Sequence, residues 1–471
     1  MNRITSSALA ILLVLMTFAN AQPAYSKANL ESKQPSLALT ETSDSSAPTY
    51  VPGVVIVEVK QGINLAKDPK GKPSHLYKTN STYLDADLSP LGVSSVTPLL
   101  TAGQTNELQN KGGGTSPLAR IYKIRLKPGT DIDNVVAELS ANPDVVFAEP
   151  DYIAYPADIP NLNHAPTSSR LSPALAVQQL TIDDPLYSQQ WGMAKINIEG
   201  AWSATYGAPT VTIAVIDSGI DLTHVDLQNN LWTNPGEIAG NGIDDDSNGY
   251  IDDVNGWNFV FSSNDVWDDN GHGTLVAGVA AAIGGNGAGI VGVCPECRIM
   301  PVKVMQASGA ANYSDIAAGV LYAAQKGAKV INLSLGGYAN SNTLKNAIDT
   351  AVNTYGVAVV AGAGNDNLDT PFYPAAYDNV LAVAGTAEDD TKLDFSNYAA
   401  WVDVSAPAVN IRTTALGGDW ANGSGTSIAS PFAAGLAGLL RTLHPDWSAN
   451  LIRAQIVHTT DNIESANPAY I

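Results

Sequence analysis

Cysteine is almost missing from this 471-residue chain: only Cys294 and Cys297 occur, in a Cys-Pro-Glu-Cys run. Two thiols cannot complete a four-ligand zinc site, so a redox pair or a short-loop disulfide remains, and in an exported chain the disulfide is expected. Basic residues are scarce as well, with 24 Lys and Arg against 45 Asp and Glu, a formal charge of -21. Such a field repels phosphate backbones and anionic lipid, which excludes nucleic acid and membrane surfaces as partners. Charged residues of both signs make up only 15% and hydrophobic residues 45%, the balance of a packed globular protein rather than a disordered one. Beyond residue 21 no apolar run reaches the roughly 20 residues of a membrane span without a charge, Gly or Pro.

What is present begins with Arg3, an apolar stretch over 8–19 broken only by Thr17, and Ala19-Asn20-Ala21. This pattern predicts a signal peptide over 1–21, cut ahead of Gln22, and hence a secreted protein without a membrane anchor. Residues 22–50 are rich in Ser, Thr, Ala and Pro and read as a flexible leader. Strands are expected at 53–59, 121–126 and 145–148, with 60–117 as a long irregular loop. A helix capped by Thr130 carries Ile132, Val135, Val136 and Leu139 on one face. Together 51–155 form a small α+β unit, followed by a linker at 156–182 open to proteolysis. From 183 to 471, strand-like runs alternate with helical ones, which predicts an α/β fold: a three-layer, doubly wound parallel sheet. Reactive groups in such folds collect at the carboxyl ends of the strands.

Four residues stand out there. Asp217 follows the apolar run 212–216 and precedes Ser218-Gly219, where a turn-capping Asp is the ordinary alternative. His272 sits between two glycines ahead of an Ala- and Val-rich helix, so backbone and substrate can approach the imidazole closely. Ser427, in Gly425-Thr426-Ser427-Ile428-Ala429-Ser430-Pro431, opens a helix whose N-terminal N–H groups suit a developing oxyanion; its plain alternative is an N-cap. Asn365 ends the small-residue run 360–364 and supplies a second donor, or merely a turn. A hydroxyl is a weak nucleophile until a base takes its proton, which is why Asp, His and Ser gain meaning as a set. A calcium loop is also legible: Asp244, Asp246, Asn248, the Tyr250 carbonyl and Asp252 follow D-x-D-x-N-G-x-x-D, although Asn255 stands where a bidentate Glu usually closes the loop.

In this order the motifs around Asp217, His272, Asn365 and Ser427 resemble the subtilisin-like serine proteases, peptidase S8, with the spacing of thermitase-like members. The resemblance covers 183 to about 465 and implies a serine endopeptidase that hydrolyses peptide bonds through an acyl-enzyme. It further implies a subsite strand Ser334-Leu335-Gly336-Gly337 and a P1 pocket between it, Gly362, Ala363 and Gly364, and Tyr373-Pro374-Ala375; no acidic residue stands on those walls, so apolar or aromatic P1 residues are the default. A strong calcium site would use Asp184, Asp226 and Asn286 side chains and the carbonyls of Ile283, Ala288 and Ile290. The 51–155 unit resembles the family's propeptide, which chaperones and then inhibits its own enzyme. Protein or peptide substrates, structural Ca2+ and a monomer are therefore expected. Leu275 and Phe432 replace histidines common in the family, neither of them chemical. Two rival readings are an esterase using Ser427, Asp446 and His458, against which Ala429 breaks the G-x-S-x-G elbow, and a silent calcium-binding protein.

Overall fold

Seven consecutive buried residues, 53–59, leave no solvent face in strand β1 (Tyr50–Val59), so β1 must lie inside a sheet. A computed structural model, which describes residues 49–63, 65, 79–112, 116–157 and 181–469, places it there. The expected signal peptide, almost all of the leader and linker positions 158–180 lie outside the described residues. After β1 come helix α1 (Thr82–Leu88), β2 (Ser95–Pro98), α2 (Ala102–Gly112), β3 (Ile121–Arg125), α3 (Ile132–Ser140) and β4 (Val145–Pro156). β1 pairs antiparallel with both β3 and β4, and β2 extends the sheet beyond β3. The stretch 60–117 is thus not one loop. Its helices escaped detection because α1 buries only Leu84 and Leu88 and α2 is mostly polar, which leaves no periodic apolar signal. The cap of α3 is Asp131 rather than Thr130; its side chain accepts the Asn134 amide at 3.2 Å.

The larger unit follows as β5 (Thr212–Asp217), β6 (Trp257–Asn258), α4 (His272–Ala281), β7 (Arg298–Lys303), β8 (Ala311–Asn312), α5 (Tyr313–Gln325), β9 (Val330–Leu333), β10 (Leu335–Gly336) and α6 (Asn342–Asn353). Then come β11 (Ala358–Gly362), β12 (Val380–Thr386), β13 (Val404–Pro407), the hairpin β14 (Ile411–Ala415) and β15 (Asp419–Gly423), α7 (Thr426–Leu443) and α8 (Ala449–Thr459). Seven strands form one parallel sheet in the order β13-β12-β11-β9-β5-β7-β6. Its two faces feed different cores: Ile213 and Val215 of β5 pack with α4 and α7, while Ala214 and Ile216 pack with α5 and α6. Burial on both faces is why these strands read as unbroken apolar runs. Cys294 and Cys297 are bridged and buried in the turn before β7. Among the described residues no helix is long and apolar enough to cross a membrane.

The smaller unit sits on α5 and α6 and caps both. The Asp151 carboxylate accepts the Ser314 amide at 3.0 Å, and the Glu149 carboxylate accepts the amides of Asn342 and Thr343 at 2.9 and 3.0 Å. Helix N-termini have unpaired N–H groups and favour negative charge, so each carboxylate stabilises the junction. Beyond these caps β4 runs on into the larger unit, where Ile153 and Ala154 pair with β8, and Tyr155 and Pro156 with β10. Replacing Glu149 by Ala is expected to cost about 1.5–3 kcal/mol. Hydrogen exchange should quicken at the Asn342 and Thr343 amides; unchanged protection there would contradict the cap.

Candidate active site

β5 ends on Asp217, which is completely buried, and its Oδ1 lies 2.7 Å from the Ser218 amide and 2.7 Å from His272 Nδ1. A carboxylate at Nδ1 fixes that nitrogen as the protonated one and makes Nε2 the basic one. His272 is the first residue of α4, and Gly271 before it takes φ 103°, a conformation costly for any side-chain-bearing residue. The loop is tied down by Asp268, which carried no distinguishing pattern in the sequence. Its buried carboxylate accepts the Gly271 amide at 2.8 Å, the Thr274 amide at 2.9 Å and the Ser218 hydroxyl at 2.8 Å. One carboxylate therefore locks the turn after Asp217 to the helix that carries His272.

Ser427 is the second residue of α7 and is also buried. A β-carbon on Gly273 of α4 would stand 3.2 Å from the Asp217 side chain, at the carboxyl end of β5. One on Gly438 of α7 would stand 3.1 Å from Ile213, at the amino end of the same strand. Both helices hence run back along the sheet, and the first turns bearing His272 and Ser427 stand at the same edge. The close approach of the helices requires Gly435, where a β-carbon would lie 2.8 Å from the Ala280 carbonyl. Asn365 joins them just beyond β11. Its Oδ1 accepts the Thr426 amide at 3.0 Å, and its buried Nδ2 has no hydrogen-bond partner among the described residues. A buried donor left unmade is costly, about 1–3 kcal/mol, and is tolerated where an acceptor arrives during function.

The carbonyl of Ala157 already lies at this edge. It accepts the Ser427 amide at 3.0 Å, and the Ala157 amide donates to the Ser334 carbonyl at 3.1 Å. Leu335 and Gly336, within the expected subsite strand, pair antiparallel with Pro156 and Tyr155 of the chain's own β4. Gly337 exchanges backbone hydrogen bonds with Tyr373 at 2.8 and 2.7 Å. On the facing wall, Gly362 ends β11, and the Gly364 amide donates to Thr426 Oγ1 at 2.9 Å. Asn397, which nothing in the sequence singled out, shapes that wall. Its Nδ2 donates to the Ala363 carbonyl at 3.0 Å, and its Oδ1 accepts the Asp366 and Leu368 amides at 3.1 and 2.9 Å.

Two acidic regions flank the sheet. Asp184 and Asp226 are buried, and half-buried Asn286 beside them donates its amide to Asp226 Oδ1 at 3.0 Å. Asp184 Oδ1 has no hydrogen-bond partner among the described residues, and burial, followed by the Asp226 charge, pushes the Asp184 carboxyl up to about 7. Two buried carboxylates and an orphaned oxygen fit an oxygen-seeking cation. Backbone oxygens of Ile283, Ala288 and Ile290 belong to the same loop, where the amides of Ala288 and Ile290 instead serve Asn286 and Asp226.

Within the predicted loop at 244–252 the carboxylates meet backbone amides. Asp244 accepts the amides of Asn248 and Gly249, and Asp252 those of Asn241 and Gly242. Asn248 Oδ1 accepts the Tyr250 amide at 2.6 Å. Asp246 shares the Asn248 amide with Asp244 and also joins the carboxylates of Glu237 and Asp253, with oxygens within 4.8 Å of one another. Burial raises Asp253 to about 6, but Lys326 already pairs with Asp246 and so supplies a resident positive charge. The repeat spacing was readable, while Glu237 and Asp253 come in through chain folding.

Comparison with known proteins follows the same lines. A model of the subtilase family (Peptidase_S8) matches residues 208–470. The chain is 39% identical over 339 residues to a thermophilic serine proteinase of Bacillus sp. (strain AK1), covering 72% of this chain and 73% of that one. It is 40% identical over 284 residues to thermitase of Thermoactinomyces vulgaris, covering 60% and 92% of the two chains. With subtilisin Savinase of Lederbergia lenta it shares 36% identity over 280 residues, covering 59% and 94%.

The Asp217–His272 contact has a direct spectroscopic consequence. In ¹⁵N-histidine NMR, His272 is expected to be protonated at Nδ1 with a far-downfield proton. The substitution Asp217→Asn should abolish that signal and shift the tautomer, and an unaltered spectrum would speak against the pairing.

Proposed function

This chain belongs to the subtilase family of serine endopeptidases, and from that premise we propose that it is a secreted, calcium-stabilised protease made as a self-inhibited precursor. Ser427 Oγ attacks the carbonyl carbon of a bound peptide while His272 Nε2 takes its proton. Asp217 holds the imidazole and stabilises the imidazolium. The Ser427 amide and Asn365 Nδ2 receive the oxyanion. His272 then protonates the leaving amine, and water repeats the sequence in reverse to free the acyl group. Loss of one oxyanion donor costs about 10²–10³-fold in turnover in a subtilisin, and Asn365 is assigned the same weight.

The Ala157 carbonyl on the Ser427 amide is the observation that carries the precursor reading. Residues 153–156 lie between β8 and β10 as a substrate would, so the 49–157 unit occupies the cleft with its own C-terminal strand. Catalytic attack at that carbonyl cleaves the bond between Ala157 and Asp158. Purified wild-type chain is expected to yield a new N-terminus at Asp158, read by mass spectrometry. Ser427→Ala should stay intact and lose fluorophosphonate labelling; cleavage persisting in that variant would assign the cut to another protease.

Calcium is assigned first to Asp184, Asp226 and Asn286 with the carbonyls of Ile283, Ala288 and Ile290. Bound there, the ion neutralises buried charge and fastens the loop after α4 to the N-terminal arm; it takes no part in the chemistry. The cluster at Glu237, Asp246 and Asp253 ranks second, because Lys326 partly fulfils the same role. Chelation should lower Tm by roughly 5–10 °C, as expected for a ligand at about 100 times its Kd. In Asp184→Asn most of that calcium-dependent shift should vanish, and a full shift would move the ion elsewhere. The N-terminal pattern over 1–21 supports export, and a monomer suffices for every function assigned.

A further inference from the structure

Phe372 stands between the strand that pairs with Tyr155 and Pro156 and the loop beside Asn365. It lies just before Tyr373, which is hydrogen-bonded to Gly337 of the subsite strand, and it is only 6% exposed. A β-carbon on Gly336 would come within 2.4 Å of the Phe372 ring, and one on Gly364 within 3.0 Å. Gly336 belongs to the strand that pairs with the docked peptide, and Gly364 to the opposite wall beside Asn365. One ring therefore touches both walls and spans the gap between them.

The ring is also held in place. Tyr338 meets it edge to face, with centroids 5.2 Å apart and planes at 74°. Tyr338 in turn donates to Asp366 at 2.6 Å and accepts from Asn397 Nδ2 at 3.2 Å, which anchors it to the wall loop. A rotamer change that emptied the gap would break the aromatic contact and leave the ring to find new space in a packed interior. The residue whose carbonyl rests on the Ser427 amide is an alanine, buried to 3% exposure, so the chain's own ligand at this position is small.

We infer that Phe372 restricts this protease to small P1 residues such as alanine, in place of the apolar or aromatic residues expected from the absence of an acidic wall. The inference rests on the reading of Ala157 as the acyl residue of a self-cleaved precursor. A hydrophobic pocket discriminates by the fit of methylenes, each step being worth about 10–200-fold in kcat/KM. A ring already in place acts as a floor, excluding Leu and Phe by overlap rather than by charge.

Tetrapeptide p-nitroanilides with Pro at P2 and Ala, Leu, Phe or Lys at P1 test this on the processed enzyme. Wild type is expected to favour Ala over Phe by on the order of 10- to 100-fold, and Phe372→Ala to raise the Phe/Ala ratio by a similar factor. In the full chain, Ala157→Phe should slow processing at that bond, and adding Phe372→Ala should restore it. Such rescue by a second substitution would not follow from a merely structural role of Phe372. Equal wild-type turnover of Phe and Ala peptides, preference for Lys, or an unmoved ratio in Phe372→Ala would overturn the inference. If wild type hydrolysed no peptide and took no fluorophosphonate label, the protease reading itself would fall, and this one with it.

Discussion

Everything in this molecule depends on where a two-faced parallel sheet leaves room for polar groups. With α4 and α7 on one face and α5 and α6 on the other, both faces of β5 are closed by apolar packing. A carboxylate such as Asp217 is tolerated at the strand's carboxyl end because hydrogen bonds meet it there, from Ser218 and His272. Two helix N-termini open onto that same edge, each with unpaired N–H groups. The positive end of α7 and the basic nitrogen of His272 are consequences of one architecture.

The same physics fastens the N-terminal unit to the rest of the chain. Glu149 and Asp151 answer the N-termini of α6 and α5, and the Ala157 carbonyl answers that of α7. Three successive acceptors along one strand thus meet three helix starts. Each contact is modest, and each is charge-assisted or backbone-directed, so they fix register more than they add affinity. Register matters because β4 must deliver one particular carbonyl to Ser427. A shift of one residue would send its side chains to the opposite faces and withdraw that carbonyl from the amide.

The acidic regions illustrate a different balance. Among the described residues no Lys or Arg pairs with Asp184 or Asp226, and burial raises both carboxyls. Around Asp246 the protein instead supplies Lys326. A negative composition overall does not distinguish these cases; local pairing does.

By itself the sequence determined the chemistry: which Asp, His, Ser and Asn could act, and that apolar runs alternating with helices would stack as a parallel sheet. Those features are local, written in glycine-flanked motifs and in the period of buried residues. Polar α1 and α2 were illegible because their few apolar contacts lie far off in the chain. Asp268 and Asn397 were illegible because an Asp or Asn in a loop is ordinary until its hydrogen bonds close around it. Only tertiary structure decided that Glu237 and Asp253 also approach Asp246, and that Ala157 reaches Ser427. It alone put the Phe372 ring between Gly336 and Gly364, since a gap between two strands belongs to no single segment of the chain.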